Sequence, residues 1–216
     1  MEIPCKQRQC QRRIYEIIKS RGIKMAKDFW KPGNMLYPLP AVMVSCKDGD
    51  EKPNIITVAW CATVCSDPAM ISISVRKERH SYEIIKRSKE FVVNLVTEEL
   101  TYATDYCGVK SGRDVDKFQK MKLTPCKMKN VKAVGIEESP VNIECKVEKI
   151  IELGSHTMFI GKVVGVHVDK KYLNSKGTLM LNKANLMCYS HGEYYGLGKK
   201  IGSFGYSVKK NTKRSK

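Results

Sequence analysis

The stretch "SVRKERHSYEIIKRSKEFVVNLV", residues 74–96, sets Arg76, Lys77, Arg79 and His80 between an alternating apolar run and a short helical pattern. A helix N-terminus carries unpaired backbone N–H groups and a partial positive charge, so it attracts anions. Arg79 adds a fork-shaped donor for phosphate oxygens, and Ser81, the expected N-cap, adds a hydroxyl. Together they suit a phosphate monoester; the same residues also read as a solvated basic loop. Just upstream, "NIITVAW" carries Thr57 and ends in Trp60. An aromatic ring beside hydroxyl and backbone donors suits a flat, hydrogen-bonding heterocycle, although Trp60 alone also reads as a core residue.

Two further segments hold side chains with chemistry. In "GRDVDKF", residues 112–118, Asp114 and Asp116 present carboxylates and Lys117 an ammonium. Lys117 reads either as a donor to an acceptor on a bound ring or as a solvated residue on an Asp-capped helix. Two carboxylates without a third do not make a cation site, and no C-x-x-C pair signals zinc, so no metal is expected. In "LGSHTMFIG", His156 stands at a turn directly before a strand, where it can be an acid, a base, a donor to a substrate or simply a turn residue. His167 reads as structural, and His191 falls in the C-terminal loop region.

The elements that must position these groups are mostly strands. From Ala41, "AVMVSC" and "NIITVAW" flank an Asp48-Gly49 hairpin turn, and "AMISISV" alternates with Ile71, Ile73 and Val75 on one face. A helix begins near Ser81, "FVVNLV" is a buried strand, and residues 98–123 are helical or irregular. "VNIECKVEKIIEL" alternates with Val141, Ile143, Cys145 and Val147 inward. Its partner "MFIGKVVGVHV" carries Gly161 and Gly165 as bulge or bend positions. "HGEYYGLGKKIGSFGYS" has no helical period and reads as an ordered loop or arm. At least six closely spaced strands with few helices predict a mainly β, mostly antiparallel barrel.

A chain of 216 residues accommodates one domain with a sizeable core. The formal net charge of +17 raises the question of nucleic acid or a membrane surface, but the cations concentrate in the first 31 residues and in the last eight, "KKNTKRSK", while the middle mixes both signs. The nine cysteines do not pair by spacing, which fits a reducing compartment where most thiols act as small buried hydrophobes. No apolar run reaches the ~20 residues of a membrane-spanning helix, and the N-terminus lacks an apolar signal region; a soluble, cytoplasmic protein is expected. The codons for Ser20-Arg21-Gly22 can spell a ribosome-binding sequence ahead of Met25, so residues 1–24 are expected to be a leader or a disordered basic extension. Mass spectrometry of the native N-terminus tests that. The domain is then 25–207, followed by a basic tail at 208–216.

In order along the chain, "KPGNMLYPLPAVMVSC", "KPNIITVAW", "SDPAMISISVRKERHSYEIIKRSKEFVVNL", "DYCGVKSGRDVDKF", "IEESPVNIECKV" and "GSHTMFIGKVV" resemble the flavoredoxin branch of the flavin reductase-like family. The resemblance implies an FMN-binding split β-barrel of Greek-key type, a homodimer with the flavin near the interface. It implies that Thr57, Ala59 and Trp60 lie around the isoalloxazine or ribityl chain. Arg79, His80 and Ser81, helped by Ser74 or Arg76, would hold the FMN phosphate. Lys117 would reach the ring system, and Tyr189 would lie near the flavin. His156 matches the histidine of a Gly-Asp-His signature tied to nicotinamide or flavin handling, with Ser155 in place of the Asp. The implied activity is electron transfer from NAD(P)H or a redox protein through FMN to flavin, iron or a protein. Two other readings stay open: a pyridoxamine-phosphate-oxidase-like enzyme, which needs more basic residues for a second phosphate, and a basic nucleic-acid-binding module, which predicts steeply salt-sensitive binding.

Overall fold

The structure, a computed structural model, describes residues 27–28 and 30–208. The expected leader, 1–24, and the tail beyond Val208 lie outside the described residues. The chain forms two units, Met1–Met35 and Leu36–Lys216, and among the described residues all strands and helices lie in the second.

Its strands are β1 (Leu39–Pro40), β2 (Val42–Cys46), β3 (Asn54–Val58), β4 (Cys61–Ser66), β5 (Ala69–Arg76), β6 (Glu90–Leu95), β7 (Pro125–Cys126), β8 (Gly135–Ile136), β9 (Val141–Leu153), β10 (His156–Val168), β11 (Met187–Ser190) and β12 (Glu193–Gly196). The α-helices are α1 (His80–Ser88), α2 (Thr101–Val109) and α3 (Lys117–Met121). Seven strands form one antiparallel sheet in the order β3-β2-β6-β9-β10-β5-β4. The fold is mainly β, as expected. The sheet is not closed into a barrel: its edge strands, β3 and β4, are joined through Ala59 and Trp60 but do not pair. A smaller sheet, β1-β11-β12, and the β7–β8 pair complete the set.

Both faces of the central strands are buried, because helices cover each. Side chains alternate across a strand. Accordingly, Val42, Val44, Ile56 and Val58 point to one core with Tyr82, Ile84 and Ile85 of α1. Met43 and Ile55 point to the opposite core with Ala103 and Cys107 of α2 and Phe118 of α3. That double coverage explains the unbroken apolarity of "AVMVSC" and "FVVNLV". At the centre of the first core Phe159 is fully buried, and its ring centroid lies 5.6 Å from that of Tyr82. The far end of α1 is tied to the β2–β3 turn, where Arg87 Nε donates to Asp48 at 2.7 Å.

The ladder of β9 and β10 slips register at Gly161 and between Val163 and Gly165, the two positions expected to bend. A Cβ at Gly161 would stand 2.7 Å from the Phe91 ring, and one at Gly165 would stand 2.5 Å from Glu144 Oε1. Both glycines admit a close neighbour as well as a bulge.

Three expectations need correction. "CATVCS" forms β4, which its residues did not announce: it is a largely exposed edge strand, so no buried face imposes a pattern. "HGEYYG" is not an arm but a turn and β12, pairing with β11. Helix α1 begins two residues earlier than expected, with Arg79 rather than Ser81 as N-cap, and Ser81 lies inside its first turn, buried. Its Oγ accepts from Asn54 Nδ2 at 2.8 Å rather than capping the helix.

Candidate functional site

Two adjoining clefts open along the β3–β5 side of the sheet. The first, of about 220 Å³, is lined by Thr57, Ala59, Trp60, Ser74, Arg76 and His156 with Tyr189 and Tyr194 of the small sheet. The second, of about 290 Å³, is lined by His80, Ser81, Lys110, Arg113 and Lys117 with Asn54. Ile56 and Arg79 line both, so the two clefts adjoin at these residues.

The first cleft is built from strand ends. Strand β3 stops at Val58, and the Trp60 carbonyl accepts from Ser74 N of β5 at 2.9 Å, which holds the indole at the cleft mouth. Trp60 is 45% exposed, which rules out the core reading. The two-residue turn Gly154–Ser155, with φ +63° at Gly154, starts β10 at His156, directly opposite Arg76, the last residue of β5. The His156 and Trp60 ring centroids lie 5.2 Å apart at 56°. Burial, and then the Arg76 guanidinium, push the His156 imidazole below its ordinary range, so it is neutral at pH 7. Ser155 Oγ sits 2.9 Å from His156 Nδ1.

Aromatic side chains close the opposite wall. Tyr189 and Tyr194 have centroids 5.8 Å apart, and Tyr194 OH donates to Asp105 at 3.1 Å. Burial, with Asp105 beside it, pushes the Tyr194 phenol up to about 12. Thr57 reaches the cleft by its methyl side, because its hydroxyl donates to the Thr104 carbonyl of α2. Helix α2 comes that close because residue 108 is glycine: a Cβ there would stand 3.2 Å from Thr57 Cβ.

The second cleft is cationic. Its lining carries Arg79, Lys110, Arg113 and Lys117 against the single carboxylate of Glu78. Glu78 is itself paired with Arg76, Nε to Oε1 2.7 Å. Arg79 Nη1 donates to the Gly108 carbonyl at 3.3 Å, and Arg113 Nη1 to the Glu78 carbonyl at 2.9 Å. Both guanidiniums are therefore aimed by neutral backbone oxygens and keep their charge available. Lys77 differs: it lines neither cleft and pairs with Glu152 at 2.9 Å. Burial, followed by the Arg113 charge, holds the His80 imidazole below its ordinary range.

Lys117 is only 4% exposed, contrary to the solvated reading of "GRDVDKF". Its Nζ donates to the Ile55 carbonyl at 2.7 Å and the Cys107 carbonyl at 2.8 Å, bridging β3 to α2. It lines the cationic cleft, not the aromatic one. Burial pushes its ammonium down to about 8, with the Arg79 charge acting in the same direction. Asp116 caps α3 by accepting from Gln119 N at 3.1 Å, and no metal-binding cluster of acids, His and Cys occurs among the described residues. Cys61, beside Trp60, is pushed up to about 12 by burial, so it stays a thiol and packs as an apolar residue.

Every residue that the resemblance tied to the flavin or its phosphate, from Thr57 to Tyr189, lines one of the two clefts, as does His156, whereas Lys77, Asp114 and Asp116 line neither. Asn54, Asp105, Lys110, Arg113 and Tyr194 were missed. The signal for Arg113 was its place in the same charged segment as Lys117; Asp105 and Tyr194 meet only through the tertiary fold.

An apolar, aromatic-lined slot adjoining a cationic pocket with serine and arginine donors fits a planar heterocycle carrying a phosphate. Comparison with known proteins agrees. The chain is 32% identical to the flavoredoxin of Desulfovibrio vulgaris (Miyazaki F), whose structure superposes with a TM-score of 0.78 over 85% of this chain and 99% of that one. An uncharacterized protein of Archaeoglobus fulgidus is 35% identical over 131 residues, 61% of this chain and 73% of its own. A protein of Moorella thermoacetica named high molecular weight rubredoxin is 27% identical over 108 residues, 49% of this chain and 45% of its own. Residues 34–198 match the family described as the flavin reductase like domain, and the chain belongs to that family, in its flavoredoxin branch.

Proposed function

We propose that this protein is an FMN-dependent oxidoreductase of flavoredoxin type, passing electrons from a reduced nicotinamide or a redox protein to flavin, iron or a protein acceptor. The observation that carries the reading is the junction at Arg79, where a slot walled by Trp60, Tyr189 and Tyr194 meets a pocket holding four cations and one carboxylate. Burying a phosphate's charge requires cationic partners and hydrogen-bond donors, and this pocket supplies both.

In this reading Arg79, His80 and Ser81 hold the phosphate, with Lys117 behind them. Ser81 Oγ already accepts from Asn54, so its own proton is the one to donate outward. Ser74 and Arg76, expected to help hold the phosphate, line the aromatic cleft instead of the cationic one, so in this reading they flank the ribityl chain, while Thr57, Ala59, Trp60 and Tyr189 enclose the ring. Bound FMN supplies the redox chemistry itself. His156 beside Trp60, neutral at pH 7, offers a hydrogen bond to an incoming electron donor without placing a second positive charge next to Arg76. The Moorella relative's name supports a small redox protein as one partner class. Trp60 and Val109 line the slot yet stay 45% and 67% exposed, which supports a second copy of the chain covering its mouth in a homodimer.

The test starts with the visible spectrum of freshly purified protein, expected to show flavin absorbance; a colourless preparation that also fails to take up FMN overturns the reading. In fluorescence titrations, Arg79→Ala is expected to weaken FMN binding about tenfold or more, the loss of one charge-assisted donor. Lys77→Ala, already neutralised by Glu152, should leave affinity unchanged. Equal losses in the two variants would remove Arg79 from the phosphate site.

A further inference from the structure

A third concavity, of about 1050 Å³, shares no lining residue with the two clefts. It opens between the β2–β3 turn, the start of β6 and the loop from β7 to β8. Lys47, Lys127, Lys129, Lys132 and Lys146 line it, against Asp50 and Glu90. None of these lysines forms an ion pair among the described residues.

The nearby carboxylates are committed to the backbone instead. Glu90 Oε2 accepts from Lys132 N at 2.7 Å. Glu144, fully buried, accepts from Asn130 N at 2.5 Å and Lys129 N at 3.3 Å, and shares a 2.6 Å hydrogen bond with His167 Nε2. Asn130 Nδ2 donates to the Val164 carbonyl at 2.9 Å. The loop is thus clamped by the acids that would otherwise neutralise its lysines, while Lys127, Lys129 and Lys132 are exposed to solvent. Like charges held together on a fixed scaffold repel one another, and an anionic partner relieves that repulsion.

We propose that this cleft docks an acidic polypeptide surface on a partner protein. Its cations are all lysines, and no arginine fork or aromatic platform lines it, so it lacks the bidentate and stacking groups that nucleic-acid sites rely on. Pro53, Pro125, Met128 and Val131 give it an apolar floor within the charged rim, the arrangement of a protein–protein contact. Asp50 at its edge repels a phosphate backbone but can be met by a single basic residue in an acidic protein.

The test measures binding of labelled poly-L-glutamate and of a single-stranded DNA to the full-length protein at low salt. Lys127→Glu/Lys129→Glu/Lys132→Glu is compared with an equal reversal outside the cleft, Lys176→Glu/Lys183→Glu/Lys199→Glu. The cleft reversal is expected to weaken poly-L-glutamate binding about tenfold or more and the control less than about threefold. Equal weakening by both triples reduces the effect to net charge and overturns the proposal. So does a wild-type protein that binds the DNA more tightly than the polypeptide at matched charge. Where the reversed variant fails to fold, the Lys→Gln triple at 127, 129 and 132 carries the same comparison. FMN titrations of all variants at 0.15 M salt, where charges beyond about 8 Å are screened, should match wild type, which keeps this test separate from that of the flavin site.

Discussion

Lys117 shows how much a single side chain can do in this molecule. Its two hydrogen bonds join the β3 edge to the last turn of α2, and its charge stands behind the phosphate pocket. Lys117→Met keeps the bulk but strands the Ile55 and Cys107 carbonyls, an expected cost of about 1–3 kcal/mol in urea unfolding. The ammonium is held at about 8, below its ordinary 10.5. Between those values the unfolded chain binds a proton that the folded chain has released, so the contribution of this group to stability rises with pH across that window. Phosphate binding runs the other way: a dianion favours the charged lysine, so FMN affinity should fall as pH rises through about 8. Both dependences should vanish in Lys117→Met, and identical pH profiles in the two proteins would exclude Lys117 as their source. The chemistry of Lys117 was readable from "GRDVDKF", but its burial was not. Burial is created by α2 packing against β3, a contact no local pattern encodes.

At the scale of elements, the site depends on how closely α1, β3 and the segment after α2 approach one another. Gly112 marks the tightest point, because a Cβ there would overlap Asn54 Oδ1 and stand 2.8 Å from His80 Cδ2. Gly112→Ala must displace the Asn54 side chain and with it the hydrogen bond that orients Ser81. The expected result is a destabilisation of about 1–3 kcal/mol together with weakened FMN binding. A thermal melt and a titration indistinguishable from wild type would show that the backbone yields freely. The strands that shape the clefts were legible where burial imposes a pattern: β2, β5, β6, β9 and β10 were all expected, down to the bends at Gly161 and Gly165. Where burial imposes none the pattern was silent. Strand β4 lies at an exposed edge, and β12 reads as loop because its Gly-rich sequence is held by pairing with β11 rather than by a core.

For the whole molecule, net positive charge acts on folding and on binding with opposite sign; residues 32–208, with 25 Lys and Arg against 19 Asp and Glu, carry +6 of the total of +17. Like charges brought together in the compact state repel, so screening them favours the fold. The same screening weakens the attraction between the cationic cleft and a phosphate dianion. Raising ionic strength from 0.01 to 0.15 M shortens the screening length from about 30 to about 8 Å. That leaves neighbouring pairs largely intact but removes repulsion across the molecule. The melting temperature of the flavin-free protein should therefore rise with sodium chloride over this range, while FMN affinity falls. In Arg79→Ala the rise in melting temperature should persist and the fall in affinity should flatten, because one of the charges that feels the phosphate is gone. A melting temperature that drops with salt would mean that ion pairs such as Arg87–Asp48 and Lys77–Glu152 outweigh the long-range repulsion. Pairs that exposed contribute at most about 1 kcal/mol each, so the balance should favour the screened state.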